Sequence, residues 1–96
     1  MTIPLTDAQR ARLVTFLEGF EDAEQLSPDE FVVDFYDLDV PLSINLVLDR
    51  EGNARIDGAA RLRYDEALDG WYMAERVEDA AEVLSAFREA GAWLDA

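Results

Sequence analysis

Ninety-six residues, of which 50% are apolar and 10% aromatic, predict one folded domain covering residues 1–96, with a core of its own. The chain contains no Cys, His or Lys, which excludes disulfides, thiolate nucleophiles, histidine bases, Schiff-base chemistry and the commonest zinc sites. Its net charge of −14 opposes direct binding to nucleic acid. No apolar run reaches the length of a membrane span and no signal-peptide pattern is present, so a cytoplasmic protein is expected.

The negative charge is concentrated between Arg12 and Arg50. Residues 13–49 hold ten carboxylates and no basic side chain. Such a concentration of one charge destabilises a folded chain by self-repulsion, so it calls for a reason beyond solubility. This base-free segment is therefore the strongest candidate for a functional surface.

The first predicted helix begins with a capping box, in which Thr6 is the N-cap and Gln9 the third helical residue. Apolar residues at helical spacing then predict its core-facing stripe: Leu5, Leu13, Phe16, Leu17 and Phe20. Acids crowd the C-terminal turns, where the helix dipole favours cations. They are either a solvated helix end or charge placed for a partner at some cost in stability.

Ser27 and Pro28 give a second start signal, which predicts one short turn. The residues that follow are rich in β-formers and favour a strand over 31–37. A helix through Leu38 is the alternative, because Phe31, Phe35 and Leu38 also share a helical face. Pro41 ends either version.

Alternating residues predict a strand over 42–49, whose inward side chains are Leu42, Ile44, Leu46 and Leu48. A turn follows at 49–53; it has the oxygen spacing of a calcium-loop fragment but lacks the glycine and the closing acid that such a loop needs. The third strand, 55–64, alternates between two sets: inward Ile56, Ala60, Leu62 and Tyr64, and outward Arg55, Asp57, Arg61 and Arg63. The outward Arg are expected to pair with acids of neighbouring strands. A fourth strand is predicted over 70–75.

The last predicted helix spans 77–90. Its core-facing residues are expected to be Val77, Ala81, Leu84, Phe87, Gly91 and Leu94. Gly91 has the position of a helix-ending glycine, after which Trp93 and Leu94 are expected to fold back on the core. The element order predicts an α+β fold: a four-stranded antiparallel meander with an N-terminal and a C-terminal helix packed on one face (α-β-β-β-β-α).

Catalysis is weakly supported, because a domain of this size with short loops has little room for a cleft between paired carboxylates. We expect no enzyme activity, no metal and no cofactor. The charge density is closer to that of DNA: a duplex as long as the domain, about 32 Å, carries about nineteen phosphates. The net charge of −14 is of comparable density.

In size, charge and α+β plan the whole chain resembles the small acidic phage-encoded anti-CRISPR proteins that act as DNA mimics. The resemblance includes no diagnostic motif. It implies a stoichiometric inhibitor without catalysis, whose carboxylates fill the basic groove where a bacterial CRISPR effector complex recognises DNA. A type I surveillance complex is one candidate target. Attraction between acidic inhibitor and basic groove implies fast, salt-sensitive association.

The candidate partner-binding residues are the acids of the base-free segment that do not belong to a core: Glu21, Asp22, Glu24, Asp29, Glu30, Asp34, Asp37 and Asp39. A second group comprises Glu66, Asp69, Glu78, Asp79 and Glu82. Tyr36 and Trp71 are expected to anchor the contact if they are exposed; a core position is the alternative.

Two other classes of function fit the same composition. An immunity protein or antitoxin that caps a basic nuclease needs the same acidic face on a similar small fold. An acidic chaperone-like adaptor needs instead an exposed apolar groove and dimerisation. The expected partner is a basic, nucleic-acid-binding protein, and a monomer is expected.

Overall fold

Two helices and six strands make up the fold of residues 1–92, the part of the chain that the computed structural model describes. In chain order the elements are β1 (Thr2–Ile3), α1 (Asp7–Gly19), β2 (Ala23–Gln25), β3 (Glu30–Phe35), β4 (Leu42–Leu48), β5 (Ala54–Asp65), β6 (Gly70–Arg76) and α2 (Ala80–Glu89). The strands form one sheet in the order β1-β5-β4-β3-β2, and β6 also pairs with β5. Every pairing is antiparallel.

The α+β class and the antiparallel meander β3-β4-β5-β6 are confirmed, whereas the predicted number of four strands is wrong. Residues 30–35 form a strand, so the helical alternative for 31–38 is also wrong. The two additional strands are short. Thr2 of β1 pairs with Arg55, and Ala23 of β2 pairs with Val33. Strands of two and three residues are too short to show an alternation, even where the residues favour β structure as Thr2 and Ile3 do.

Helix α1 begins as predicted. The Thr6 hydroxyl accepts a hydrogen bond from the Gln9 amide at 3.1 Å, and the Gln9 side chain accepts one from the Thr6 amide at 2.9 Å. Leu13 and Leu17 are buried. The helix therefore turns the predicted stripe toward the sheet.

One apolar core lies between both helices and a single face of the sheet. Its strand residues are Phe31, Val33 and Phe35 of β3, Leu42, Ile44, Leu46 and Leu48 of β4, and Ala54, Ile56 and Ala59 of β5. Aromatic rings join the layers: Phe87 of α2 meets Phe35 edge-on at 5.3 Å, and Phe20 lies 5.5 Å from the same ring. We call the opposite side of the sheet, which no helix covers, the open face.

A bulge in β5 reverses the faces predicted for its second half. Asn45 pairs with Gly58 and Leu46 with Ile56, so Asp57 is an extra residue that shifts the alternation by one. Ile56 faces the core as predicted, but Ala59 replaces Ala60 there. The inward assignments of Ala60, Leu62 and Tyr64 are wrong.

The same shift corrects two of the predicted outward residues, Arg61 and Arg63. Arg61 pairs with Leu42, a core residue of β4, and forms an ion pair with Glu82 of α2 at 3.3 Å. It therefore lies on the helix side of the sheet. Leu62 is buried outside the main core, and Tyr64 is exposed.

Helix α2 is shorter than predicted, and its buried face is rotated. Asp79 is the N-cap, and its carboxylate accepts from the Ala81 amide at 2.9 Å. The buried helical residues are Val83, Ala86 and Phe87, whereas Ala81 is exposed. Gly91 has a φ of +78°, as expected for a helix-ending glycine. The predicted contacts of Trp93 and Leu94 lie outside the described residues.

The distal part of the β5–β6 hairpin extends past the sheet. Strand β4 pairs with β5 only as far as Arg61, and residues 62–65 pair with β6. Every residue of β6 after Gly70 is exposed. Within residues 1–92, no helix combines the length and the apolar character needed to cross a bilayer. The cytoplasmic location stays a prediction.

Candidate interaction surface

Strands β2 and β3 place carboxylates on the open face. Glu30 and Asp34 alternate with the buried Phe31, Val33 and Phe35, so their side chains lie opposite to the core. Glu24 of β2 pairs with Val32 and lies on the same face. The backbone amide of Asp34 donates to the carbonyl of Asp22 at 3.0 Å, which brings a fourth acidic residue beside them.

Further acids continue from this face to the end of α2. Asp37 and Asp39 follow β3 and are exposed. Asp22, Asp37 and Glu89 line a cavity of about 260 Å³, and Asp39 and Glu89 line a neighbouring cavity of about 190 Å³. The acidic surface therefore comprises Asp22, Glu24, Glu30, Asp34, Asp37, Asp39 and Glu89.

Glu89 was missed by sequence reasoning. It lies in the last turn of α2, where an acid opposes the helix dipole. The same unfavourable placement is visible at the end of α1, so the signal was present in the sequence.

Two predicted residues of the base-free segment lie apart from the acidic surface or at its margin. The carbonyl of Asp29 accepts from the Leu48 amide at 2.8 Å, which continues the β3–β4 ladder, so Asp29 lies on the side of the strand opposite to Glu30. Glu21 is exposed in the turn before β2 and borders Asp22.

The second predicted group does not come together. Glu66 and Asp69 lie in the β5–β6 turn, and the other three acids surround the start of α2; the seven residues of β6, about 20 Å, separate them. Asp79 caps α2, Glu78 pairs with Arg76 at 3.5 Å, and Glu82 pairs with Arg61. These three acids have local partners in the fold.

Ion pairs in residues 1–92 lie in β5, β6 and the region of α2, although, after Asp57, the charges of Asp49 and Glu30 also raise the pKa of Arg55. Four Arg pair with carboxylates of β5, β6 or the region of α2: Arg55 with Asp57, Arg61 with Glu82, Arg63 with Glu75 and Arg76 with Glu78. The expected cross-strand pairing is seen for Arg63. In residues 1–92 none of these pairs uses an acid from 13–49.

Three aromatic side chains form a row on the open face. The ring of Trp71 lies 5.1 Å from that of Tyr36 and 5.6 Å from that of Tyr64. We call these three residues the aromatic row. Trp71 is 44% exposed and Tyr36 is half-buried. The sequence-based expectation is that Trp71 anchors a partner if it is exposed, and Trp71 is exposed.

Each end of the aromatic row carries a carboxylate. The Tyr36 hydroxyl donates to Asp34 at 3.4 Å, and the Tyr64 hydroxyl donates to Asp69. Partial burial, then the negative charge of Asp34, raises the pKa of Tyr36. The hydrogen bond to Asp69 raises the pKa of Tyr64. Both hydroxyls therefore remain protonated donors at neutral pH.

Within residues 1–92, no three His, Cys, Asp or Glu side chains are grouped in a way that holds a metal ion. No protein-family model, curated protein or solved structure matches this chain.

Proposed function

We propose that this protein is a stoichiometric inhibitor whose acidic surface fills the DNA-binding groove of a basic protein. The observation that carries the proposal is the continuity of carboxylates from Glu24 and Asp34 on the open face, through Asp37 and Asp39, to Glu89. These residues lie on three separate elements and a loop. They run from the open face around the end of β3 to the helix side, and this arrangement is a property of the fold, beyond that of the composition.

The excess of acids over Arg on this surface supports the same proposal. A surface that serves only solubility can intersperse both charges, as β5 and β6 do with their ion pairs. Most of the acidic surface instead carries one sign of charge, with Arg55 near Glu30 at one end. This excess of negative charge raises the local concentration of a basic partner and speeds its association. Binding of this kind needs no cofactor and no catalytic step.

The favoured target is a subunit of a bacterial CRISPR effector complex, on the strength of the resemblance in size, charge and plan to DNA-mimicking anti-CRISPR proteins. An immunity protein that caps a basic nuclease uses the same kind of surface and is the second candidate. The identity of the protein that binds distinguishes the two.

The adaptor alternative depends on apolar surface and self-association. Exposed Leu68, Trp71, Tyr72 and Met73 give the β5–β6 hairpin an apolar patch. The inhibitor proposal expects a monomer, and sedimentation velocity at micromolar and higher concentrations measures this. A stable dimer would favour the adaptor.

The direct test is plasmid interference in bacteria that carry an active type I CRISPR system. Expression of this protein is expected to restore transformation by a targeted plasmid without affecting a non-targeted plasmid. With purified effector complex, labelled target DNA is expected to be displaced at a one-to-one ratio of inhibitor to complex. Unchanged interference and DNA binding at saturating inhibitor contradict the proposed target, and neutralisation of a basic nuclease toxin identifies the immunity function instead.

A further inference from the structure

The indole ring of Trp71, at the centre of the aromatic row, is partly open to solvent. Trp71 is flanked on both sides by tyrosine rings and yet keeps 44% of its surface in solvent. Tryptophan and tyrosine at such positions dominate binding energy when a partner covers them, since they bring a large area at little entropic cost. The position of the row, bordering Asp34 of the acidic surface, makes it part of the same contact.

The negative charge around the aromatic row determines which kind of side chain can bind there. Asp34 and Asp69 each accept a hydrogen bond from a tyrosine hydroxyl, and a hydroxyl leaves their negative charge in place. The Arg residues of the hairpin are engaged elsewhere: Arg63 with Glu75 and Arg76 with Glu78. A ring face between two carboxylates attracts a cation, and a planar guanidinium stacks on indole better than an ammonium does.

We propose that the aromatic row binds an arginine side chain of the partner, with the guanidinium stacked on Trp71 between Asp34 and Asp69. This inference rests on the proposed function and adds to it a specific anchor. The general acidic surface attracts any basic protein. The row discriminates between arginine and lysine.

A cavity beside the row accommodates the rest of the partner segment. Met73 lies two residues from Trp71 on β6, about 6.6–6.8 Å along the strand, and is 68% exposed. It lines a cavity of about 340 Å³ whose lining also includes Val32 and Arg76, and Arg76 is paired with Glu78.

The test compares hexa-arginine and hexa-lysine peptides, each carrying a fluorescent label, by anisotropy at physiological salt. Hexa-arginine is expected to bind the wild-type protein more tightly. Trp71→Leu is expected to weaken hexa-arginine binding about ten-fold, the scale of one partly desolvated cation–π contact. It is expected to change hexa-lysine binding much less.

Tyr72→Leu is the matched control. Tyr72 is 47% exposed and adjacent in β6, but it lies on the other side of the strand and outside the row. Its replacement is expected to leave both affinities unchanged. In a Trp93→Phe background, the emission of Trp71 is expected to change on addition of hexa-arginine, which reports contact at the ring.

Three results would overturn the anchor. They are equal affinity for the two peptides, equal effects of Trp71→Leu and Tyr72→Leu, and absence of hexa-arginine binding. Trp71→Phe guards against misfolding as the cause of a loss, because it keeps a ring and is expected to retain affinity between those of wild type and Trp71→Leu. The plasmid-interference assay tests the proposed function independently of the anchor. If the Trp71→Leu variant still inhibits interference, the proposed function stands and only the anchor is rejected.

Discussion

The ring of Tyr36 lies 5.1 Å from that of Trp71, although two strands separate β3 from β6 in the sheet. The contact forms because β5 continues past its pairing with β4, and the chain after β3 follows it: the Leu62 amide donates to the Pro41 carbonyl at 2.8 Å. The loop after β3, which belongs to the base-free segment, is thereby joined to the β5–β6 hairpin. This connection makes the acidic surface and the aromatic row neighbours.

Trp71→Leu is expected to lower the free energy of unfolding by about 0.5–1.5 kcal/mol, the usual contribution of aromatic pairs beyond their buried area. Tyr72→Leu, which has no ring partner in the described structure, is expected to cost less than about 0.5 kcal/mol. Urea unfolding followed by circular dichroism measures both. Equal costs for the two variants would show that the ring contacts do not hold the hairpin.

The orientation of α2 is tested by placing the same side chain on its two faces. Ala86→Gln puts an amide into the core, where Ala86 is 3% exposed, and is expected to cost more than about 2 kcal/mol. Ala81→Gln changes an exposed position and is expected to stay within about 0.5 kcal/mol. The reverse order would restore the helix face predicted from the sequence.

Local signals predicted those parts of the fold that local physics determines. The capping box of Thr6 and Gln9, the alternation of β4 and the glycine at position 91 each specify their own conformation. The faces of β5 were misassigned because one bulged residue, Asp57, reverses every side chain after it. Nothing in a regular alternation of residues marks such an insertion.

The sequence identified the acidic residues of the candidate surface, but only the fold shows where they lie. The absence of bases in 13–49 identified Asp22, Glu24, Asp34, Asp37 and Asp39 as candidates. Their association with Glu89 depends on how α2 packs beside the loop after β3, which spacing in the chain does not encode. The acids of the second group are close in sequence but lie at opposite ends of β6, so the fold separates them.

Salt is expected to stabilise the fold while weakening partner binding. The carboxylates of the acidic surface repel one another, and raising the ionic strength from 0.01 to 0.1 M shortens the screening length from about 30 to about 10 Å. The urea midpoint is expected to rise over this range. A falling midpoint would mean that attractive pairs, rather than repulsion, dominate the electrostatics of the fold.

The loss of folding stability at alkaline pH is expected to involve Tyr64. Asp69 raises the pKa of Tyr64 in the folded state above the ordinary 10.0. The stabilisation that Tyr64 gives to the fold is therefore fully present below pH 10.0 and is lost as the pH rises through the raised pKa. Asp69→Asn removes the negative acceptor and is expected to shift a tyrosinate transition to lower pH in ultraviolet titration. An unchanged titration would show that the hydrogen bond is absent in solution.

The most direct measurement of the central claim is displacement of labelled duplex DNA from its purified target by two charge-reversed variants. Asp37→Lys with Asp39→Lys alters the acidic surface. The turn variant, Glu51→Lys with Asp7→Lys, alters two exposed residues outside it, one in the β4–β5 turn and one in the first turn of α1. Each reversal adds two positive charges to the net −14, so both variants carry −10 and differ only in location. The acidic-surface variant is expected to lose displacement by at least about ten-fold, a coupling of about 1.4 kcal/mol, while the turn variant retains it. Equal losses in the two variants would contradict the account, because binding would then follow net charge and not this surface.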